Sequence, residues 1–381
     1  MAGKVTKRIP YIDWMRGLAC LIMLQGHCFD SWLSPMAREG TAFGWSQLID
    51  TLPAPLFLFI SGFSIAIVTD KLRQRGNSSA AIAKKTILRG FQVLGFGILF
   101  RFQEFFFGQP WAPWTDLFRV DVLNVIGLSL IMMGLACRIA ASGPSQNPAD
   151  VRRASIITAI TAGACIALIT PNIWTVWRPT WLPWWLESYF DGVHIFGKPQ
   201  AYLFPFFPWA AFAFAGLAVG FLLLSDWARA NEVQVTRWAA FGGIALIAVG
   251  YLLDAQPFHL YSHYDFWHTS PNFLLMRVGI VLILLKVSHI WSHLRLANWG
   301  FSPLLELGKS SMLVYWVHSE LVYGRYSILP KGAVGVASAA LGVLTIYAAM
   351  ITLVTVRNRF PYRGMEFLAM FRRLARSESS S

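Results

Sequence analysis

The stretch IDWMRGLACLIMLQGHCFD, Ile12 to Asp30, reads as a membrane-spanning helix with an arginine and a histidine inside it. It is long enough to cross about 30 Å of hydrocarbon, which takes about 20 helical residues. The whole 381-residue chain has the same character, with 56% hydrophobic and 13% charged residues and a mean hydropathy of +0.51. Soluble domains carry nearer ~25% charged residues. Apolar runs lie at 11 to 33, 48 to 69, 86 to 107, 118 to 139, 153 to 170, 203 to 224, 237 to 253, 272 to 291, 302 to 324 and 331 to 356. The expected fold is therefore all-α, a polytopic integral membrane protein with about ten transmembrane helices.

The net charge of +13 does not call for nucleic acid, because its distribution follows membrane topology. Lys71, Arg73, Arg75, Lys84 and Lys85 fill one inter-span segment, and Arg357, Arg359, Arg363, Arg372, Arg373 and Arg376 fill the C-terminal tail. By the positive-inside rule both segments, and both termini, face the cytoplasm. Residues 1–356 form one transmembrane domain and 357–381 a basic cytoplasmic tail. The first span is too long for a signal-peptide core and is expected to be retained, which suits a bacterial inner membrane. A homodimer is left open. Cys20, Cys28, Cys137 and Cys165 lie in or beside apolar runs and form neither a disulfide framework nor a zinc spacing.

Ionisable residues within spans are costly, so each is a functional candidate, with a structural interhelical pair as the alternative. Arg16, Arg89 and Lys309 form an inner basic layer, Arg89 in a position to snorkel. The outer layer mixes bases, acids and cations: His27, Asp30, Arg101, Glu104, Arg119, Asp121, Asn124, Arg277, His318 and Glu320. Eleven residues separate Arg16 from His27, within ~20° of whole helical turns and about 16 Å along the axis. One helix face thus joins the two layers. Asp30, three residues past His27, can share its face and fix the imidazole tautomer. In GKSSMLVYWVHSELVYG, 308 to 324, Ser311, Tyr315 and His318 line one face, with His318 at about the depth of His27.

The outer loop 171 to 202 holds Trp174, Trp177, Trp181, Trp184, Trp185, Tyr189, Glu187, Asp191 and His194. It reads either as an interfacial aromatic belt or as a carbohydrate platform. The loop 254 to 271 holds His259, His263, Asp265 and His268, whose spacing matches no metal motif, and no metal is expected.

Four segments in order resemble the membrane acyltransferase superfamily, in particular its heparan-alpha-glucosaminide N-acetyltransferase-like group, related to the acyltransferase-3 family. Asp13, Arg16, Gly17 and Ala19 followed by His27 resemble the first-helix D-x-x-R-G-x-A pattern. PLFLFISGFSIAI, 55 to 67, resembles the second-helix P-x-F-x-F-x-x-G signature, and DVLNVIGLSL, 121 to 130, the V-L-x-x-I-G segment. GKSSMLVYWVH, 308 to 318, resembles the late G-x-x-S-x-x-x-Y-x-x-H segment. Asn124 and Val125 stand where the family segment has Gln-Arg.

The resemblance implies an acetyl-CoA-dependent acyltransferase moving an acyl group from the cytoplasm to a hydroxyl or amine of a sugar or glycan at the opposite face. His27, Asp30 and His318 are then expected to be catalytic, Arg16 and Lys309 to bind acyl-CoA, and Asp121, Asn124, Ser311 and Tyr315 to bind the acceptor. His27 would act as general base or carry the acyl group transiently. The alternative class is a transporter or flippase for a sugar-containing or anionic substrate, in which the same charges line a path.

Overall fold

A computed structural model describes residues 9–145, 147–177, 179–192, 194–195, 198–199, 204–257, 260–261, 265–294 and 301–359. The architecture is all-α, with one short antiparallel pair of two-residue strands, His194–Ile195 against Lys198–Pro199. In chain order the helices are α1 (Pro10–Trp32), α2 (Pro35–Arg38), α3 (Thr41–Asp50), α4 (Pro53–Gln74) and α5 (Ser79–Phe107), then α6 (Val122–Ala140), α7 (Pro148–Thr175) and α8 (Trp184–Glu187). After these come α9 (Phe206–Leu223), α10 (Asp226–Ala230), α11 (Glu232–Asp254), α12 (Pro271–His293), α13 (Pro303–Lys309), α14 (Ser311–Val322) and α15 (Val336–Arg359).

Seven helical segments among the described residues are long and apolar enough to cross a bilayer: 41–74, 114–140, α7, α9, α11, α12 and α15. This is an integral membrane protein, but the expected ten spans are not reached by that criterion. The run 11–33 does form the 23-residue α1, and 86–107 falls in the 29-residue α5, yet neither is among the seven. The run 302–324 is broken in two at Ser310, whose φ of −124° and ψ of 24° leave the helical region. Gly308, Ser310 and Ser311 are poor helix formers and make that break inexpensive. The buried Ser310 hydroxyl donates to Asn358 Oδ1 at 3.1 Å, so the interruption is held by protein rather than facing lipid. Span five is longer than expected, since α7 runs through Pro171 to Thr175. At the C-terminus α15 passes the expected 356 boundary, and residues 360–381 of the basic tail lie outside the described residues.

Helix α1 is the hub, touching α3, α4, α12, α13, α14 and α15. We call the end of the bundle at its N-terminus the lower face and the end at Trp32 the upper face. Glycine sets the spacing of four helix pairs. A Cβ on Gly17 would overlap the Leu304 carbonyl, and one on Gly308 the Asp13 carbonyl, which presses α13 onto α1. Gly62 and Gly216 do the same for α4 and α9 against Ala213 and Phe59. Gly90 with Gly127 joins α5 to α6, and Gly243 with Gly279 joins α11 to α12. Small residues let backbones approach in a medium where apolar burial alone does not drive helices together. The upper end of α1 is tied down by polar contacts: Ser31 Oγ donates to Val322 O at 2.7 Å, and Gly332 N and Val334 N donate to Ser31 O and Trp32 O. Those two bonds satisfy carbonyls that a helix end leaves without partners.

Replacing Gly216 by valine should force α4 and α9 apart and cost about 1–3 kcal/mol of stability, as overpacking does. Gly44→Ala, where a Cβ meets nothing within 4 Å, should be near neutral. Thermal unfolding in detergent compares the two.

Candidate active site

The upper halves of α1 and α14 bring His27 and His318 together. The rings stack with centroids 5.1 Å apart and an interplanar angle of 21°, and His27 Nδ1 lies 2.8 Å from His318 Nε2. His318 is fully buried, and its Nδ1 is 2.8 Å from the Val314 carbonyl one turn back. A carbonyl only accepts, so His318 carries its proton on Nδ1 and, when neutral, offers a lone pair at Nε2. His27 must then donate from Nδ1. Neutral His27 is left with an unprotonated Nε2 on a ring that is half-buried rather than sealed. A backbone carbonyl thus selects, through two imidazoles, which nitrogen of neutral His27 is left unprotonated.

The spacing assigned that role to Asp30, and here the structure differs. Nδ1 of His27 is already engaged by His318, while Asp30 Oδ2 accepts from the Tyr323 hydroxyl at 2.9 Å. The Tyr323 ring that bonds Asp30 meets His27 edge-on at 5.3 Å. Tyr323 was not legible as a site residue, because it caps the end of α14 and belongs to no periodic face. Asp50, at the end of α3, was also missed. Its carboxylate packs where a Cβ on Gly26 would be, beside the residue that precedes His27.

Tyr315 lies next to His318 with ring centroids 5.9 Å apart, and Ser311 sits a turn lower on the same helix. Tyr315 also packs on Phe100 at 5.1 Å, and Phe100 meets Trp316 at 5.3 Å. Trp316 donates to Gln103 Oε1 at 2.8 Å, and Gln103 donates to Glu320 Oε1 at 2.7 Å.

Asp121 and Asn124, expected to bind acceptor, are engaged by the protein itself. Arg101 Nε donates to Asp121 Oδ2 at 3.0 Å and its Nη2 makes a second, shorter bond to the same oxygen. Asp121 caps α6 and shares a capping box with Asn124, which is 2% exposed and donates to the Tyr189 hydroxyl at 2.9 Å. The two residues lie where a sugar contact was expected, but the start of a helix needs their polar atoms first.

The lower face carries the other expected pair. Arg16 Nη1 lies 3.0 Å from Asp13 Oδ1 and Lys309 Nζ 2.8 Å from Glu306 Oε1, so each cation already has a carboxylate. They flank one contact, since Asp13 and Gly17 meet Gly308 across the α1–α13 interface. Arg89 is exposed and bonds to Gln92, as a snorkelling residue would.

Among the aromatic residues of 171 to 192, Trp184 packs against Trp114 and Phe118, and Trp177 against Phe190. Trp174, in the last turn of α7, stacks on His268 at 6.3 Å, and His268 pairs with Asp265 at 2.5 Å. At Asp265, which lies outside the spans, burial raises the carboxyl pKa. The bond from His268 and the backbone N–H of Trp267 outweigh that and hold it below the usual range. His259 and His263 lie outside the described residues, as does the side chain of His194.

Residues 8–254 match the family model of the heparan-alpha-glucosaminide N-acetyltransferase catalytic domain. That match, over more than half of the chain, makes the protein a membrane acetyltransferase by class. It belongs to the heparan-alpha-glucosaminide N-acetyltransferase catalytic-domain family. No curated protein matches the chain. The matched part contains α1 with His27, while His318 and the rest of α13 to α15 lie beyond it.

Removing Arg101 leaves Asp121 charged and buried without its cation, so Arg101→Met should cost about 3–5 kcal/mol. Asp121→Asn in the same background keeps a capping side chain and removes the stranded charge, and should recover much of the loss. Detergent unfolding of the two single variants and the double variant gives the coupling between them.

Proposed function

We propose that the protein moves an acetyl group from acetyl-CoA, arriving at the lower face, to a hydroxyl or amino group of a saccharide at the upper face. The observation that carries this reading is the His27–His318–Val314 chain, which presents Nε2 of His27 as the base on a half-open ring. Nε2 takes the proton of the acceptor as its oxygen or nitrogen attacks the thioester carbonyl. The carbon–sulfur bond breaks, and the CoA thiolate leaves. The imidazolium formed keeps its Nδ1–H donated to His318, so no rearrangement accompanies proton uptake. Tyr323, held by Asp30, and Tyr315 wall the ring, while Ser311 begins α14 on the donor side of it.

On the lower face Arg16 and Lys309 hold the donor's phosphates in exchange for Asp13 and Glu306. About 16 Å of helix separates Arg16 from His27, a span that an extended pantetheine arm covers in large part. The lower face is the cytoplasmic one in this reading, because Lys71, Arg73, Arg75, Lys84 and Lys85 cluster between α4 and α5 at that end. Residues 1–356 act as the transferase domain, in a bacterial inner membrane.

His27→Ala should lower transfer from labelled acetyl-CoA by about 10²- to 10⁴-fold while leaving the unfolding temperature near wild type. Arg16→Ala should chiefly weaken the stabilisation that CoA confers on the native state. Full activity of the His27 variant would overturn the mechanism. Accumulation of substrate in vesicles without consumption of acetyl-CoA would instead identify a transporter.

A further inference from the structure

The elbow where α10 meets α11 has no place in the chemistry above. It forms an open cleft of about 380 Å³, lined by 229–234 and Arg237. Glu232 of this lining lies 4.0 Å from His289, whose ring meets Tyr11 in the first turn of α1, so the cleft opens at the lower face.

Its charges do not balance. Arg237 is exposed and makes no hydrogen bond or ion pair among the described residues. Arg229, also exposed, reaches Asp70 Oδ2 at 3.1 Å, but that carboxylate is shared with Arg152 at 3.1 Å and with Gln74, which donates at 2.7 Å. One acid thus serves two guanidinium groups. Glu232, the one carboxylate in the lining, faces His289, and Lys286 brings a further ammonium 3.3 Å from Val233 O and from Thr236 Oγ1. The surplus is positive, and a guanidinium fork is shaped for phosphate oxygens.

The surface beside the cleft says what carries the phosphate. Phe241 and Ile244 follow Arg237 by four and seven residues, continue its face of α11, and are exposed. Trp227 and Trp238 are exposed too, and the Trp238 ring lies 5.7 Å from Phe241. Helix α11 packs chiefly on α12, and most of its apolar span is left uncovered by the described residues. Tryptophan marks the headgroup level of a bilayer, and arginines at that level attract anionic lipids. A soluble phosphate ester would use the cations but not the apolar track that leads away from them.

We propose that the α10–α11 elbow binds an anionic phospholipid, with Arg229 and Arg237 on its phosphate and Phe241 and Ile244 along an acyl chain. The site involves neither His27 nor acetyl-CoA and is independent of the transfer reaction.

Native mass spectrometry of the full-length protein in detergent, titrated with phosphatidylglycerol or phosphatidylcholine, tests this. Wild type should retain phosphatidylglycerol at concentrations where phosphatidylcholine is lost. Arg237→Gln should weaken that retention about fivefold, the contribution of one cation at an anionic lipid surface. Arg237→Glu should reduce it to the level of phosphatidylcholine, whereas Arg75→Glu, at an exposed arginine outside the cleft, should leave it unchanged. If the glutamate variant at 237 fails to fold, the glutamine variant decides. Equal retention of the two lipids by wild type, equal retention of phosphatidylglycerol by wild type and Arg237→Gln, or the same loss in Arg75→Glu as in Arg237→Glu overturns the proposal. Displacement of the lipid by equimolar glycerol 3-phosphate or acetyl-CoA would make the cleft a soluble-phosphate site and overturn it as well.

Discussion

The close approach of α1 and α13 is the contact on which the rest of the molecule depends. Gly17 and Gly308 let two backbones meet where any Cβ would overlap a carbonyl, and so set how deep α14 begins. From that depth the turns of α14 put His318 level with His27. A bilayer supplies no hydrophobic drive between helices, so such contacts do the work that apolar burial does in water. The same device at α4–α9, α5–α6 and α11–α12 arranges the remaining helices around the hub.

The polar groups inside this frame follow one electrostatic rule. The ion pairs defined among the described residues are made within one layer: Arg101 with Asp121, Arg16 with Asp13, Lys309 with Glu306, and Asp70 with both Arg152 and Arg229. Pairs of this kind return much of the desolvation cost and add little net stability. Against that background a half-buried imidazole with one defined lone pair and the buried Arg277 guanidinium, without a counter-ion among the described residues, stand apart. Both lie in the upper half of the bundle, on α1 and α12, which pack directly against each other.

Much of this was legible in the chain. The eleven-residue spacing along α1, the common depth of His27 and His318, and the ordered motifs from Asp13 onward led to the fold and to the family. Periodicity reports which face a residue occupies but not which neighbour it meets, and the errors fall there. Asp30 shares the His27 face by spacing, yet its carboxylate turns to Tyr323 on another helix. Asn124 looked like a sugar contact, whereas the start of α6 needs its side chain for capping. The break at Ser310 was hidden in a run apolar enough to pass as one span.

His27 and His318 are separated by 291 residues. A chain made from its N-terminus inserts α1 early and α13 to α15 last, so the hub helix waits through most of synthesis with its glycine face and its imidazole uncovered. The tautomer of His27 is therefore decided by the final helices to arrive. A nascent or truncated product ending near residue 254 holds the whole matched family region but lacks His318, the partner of the His27 ring.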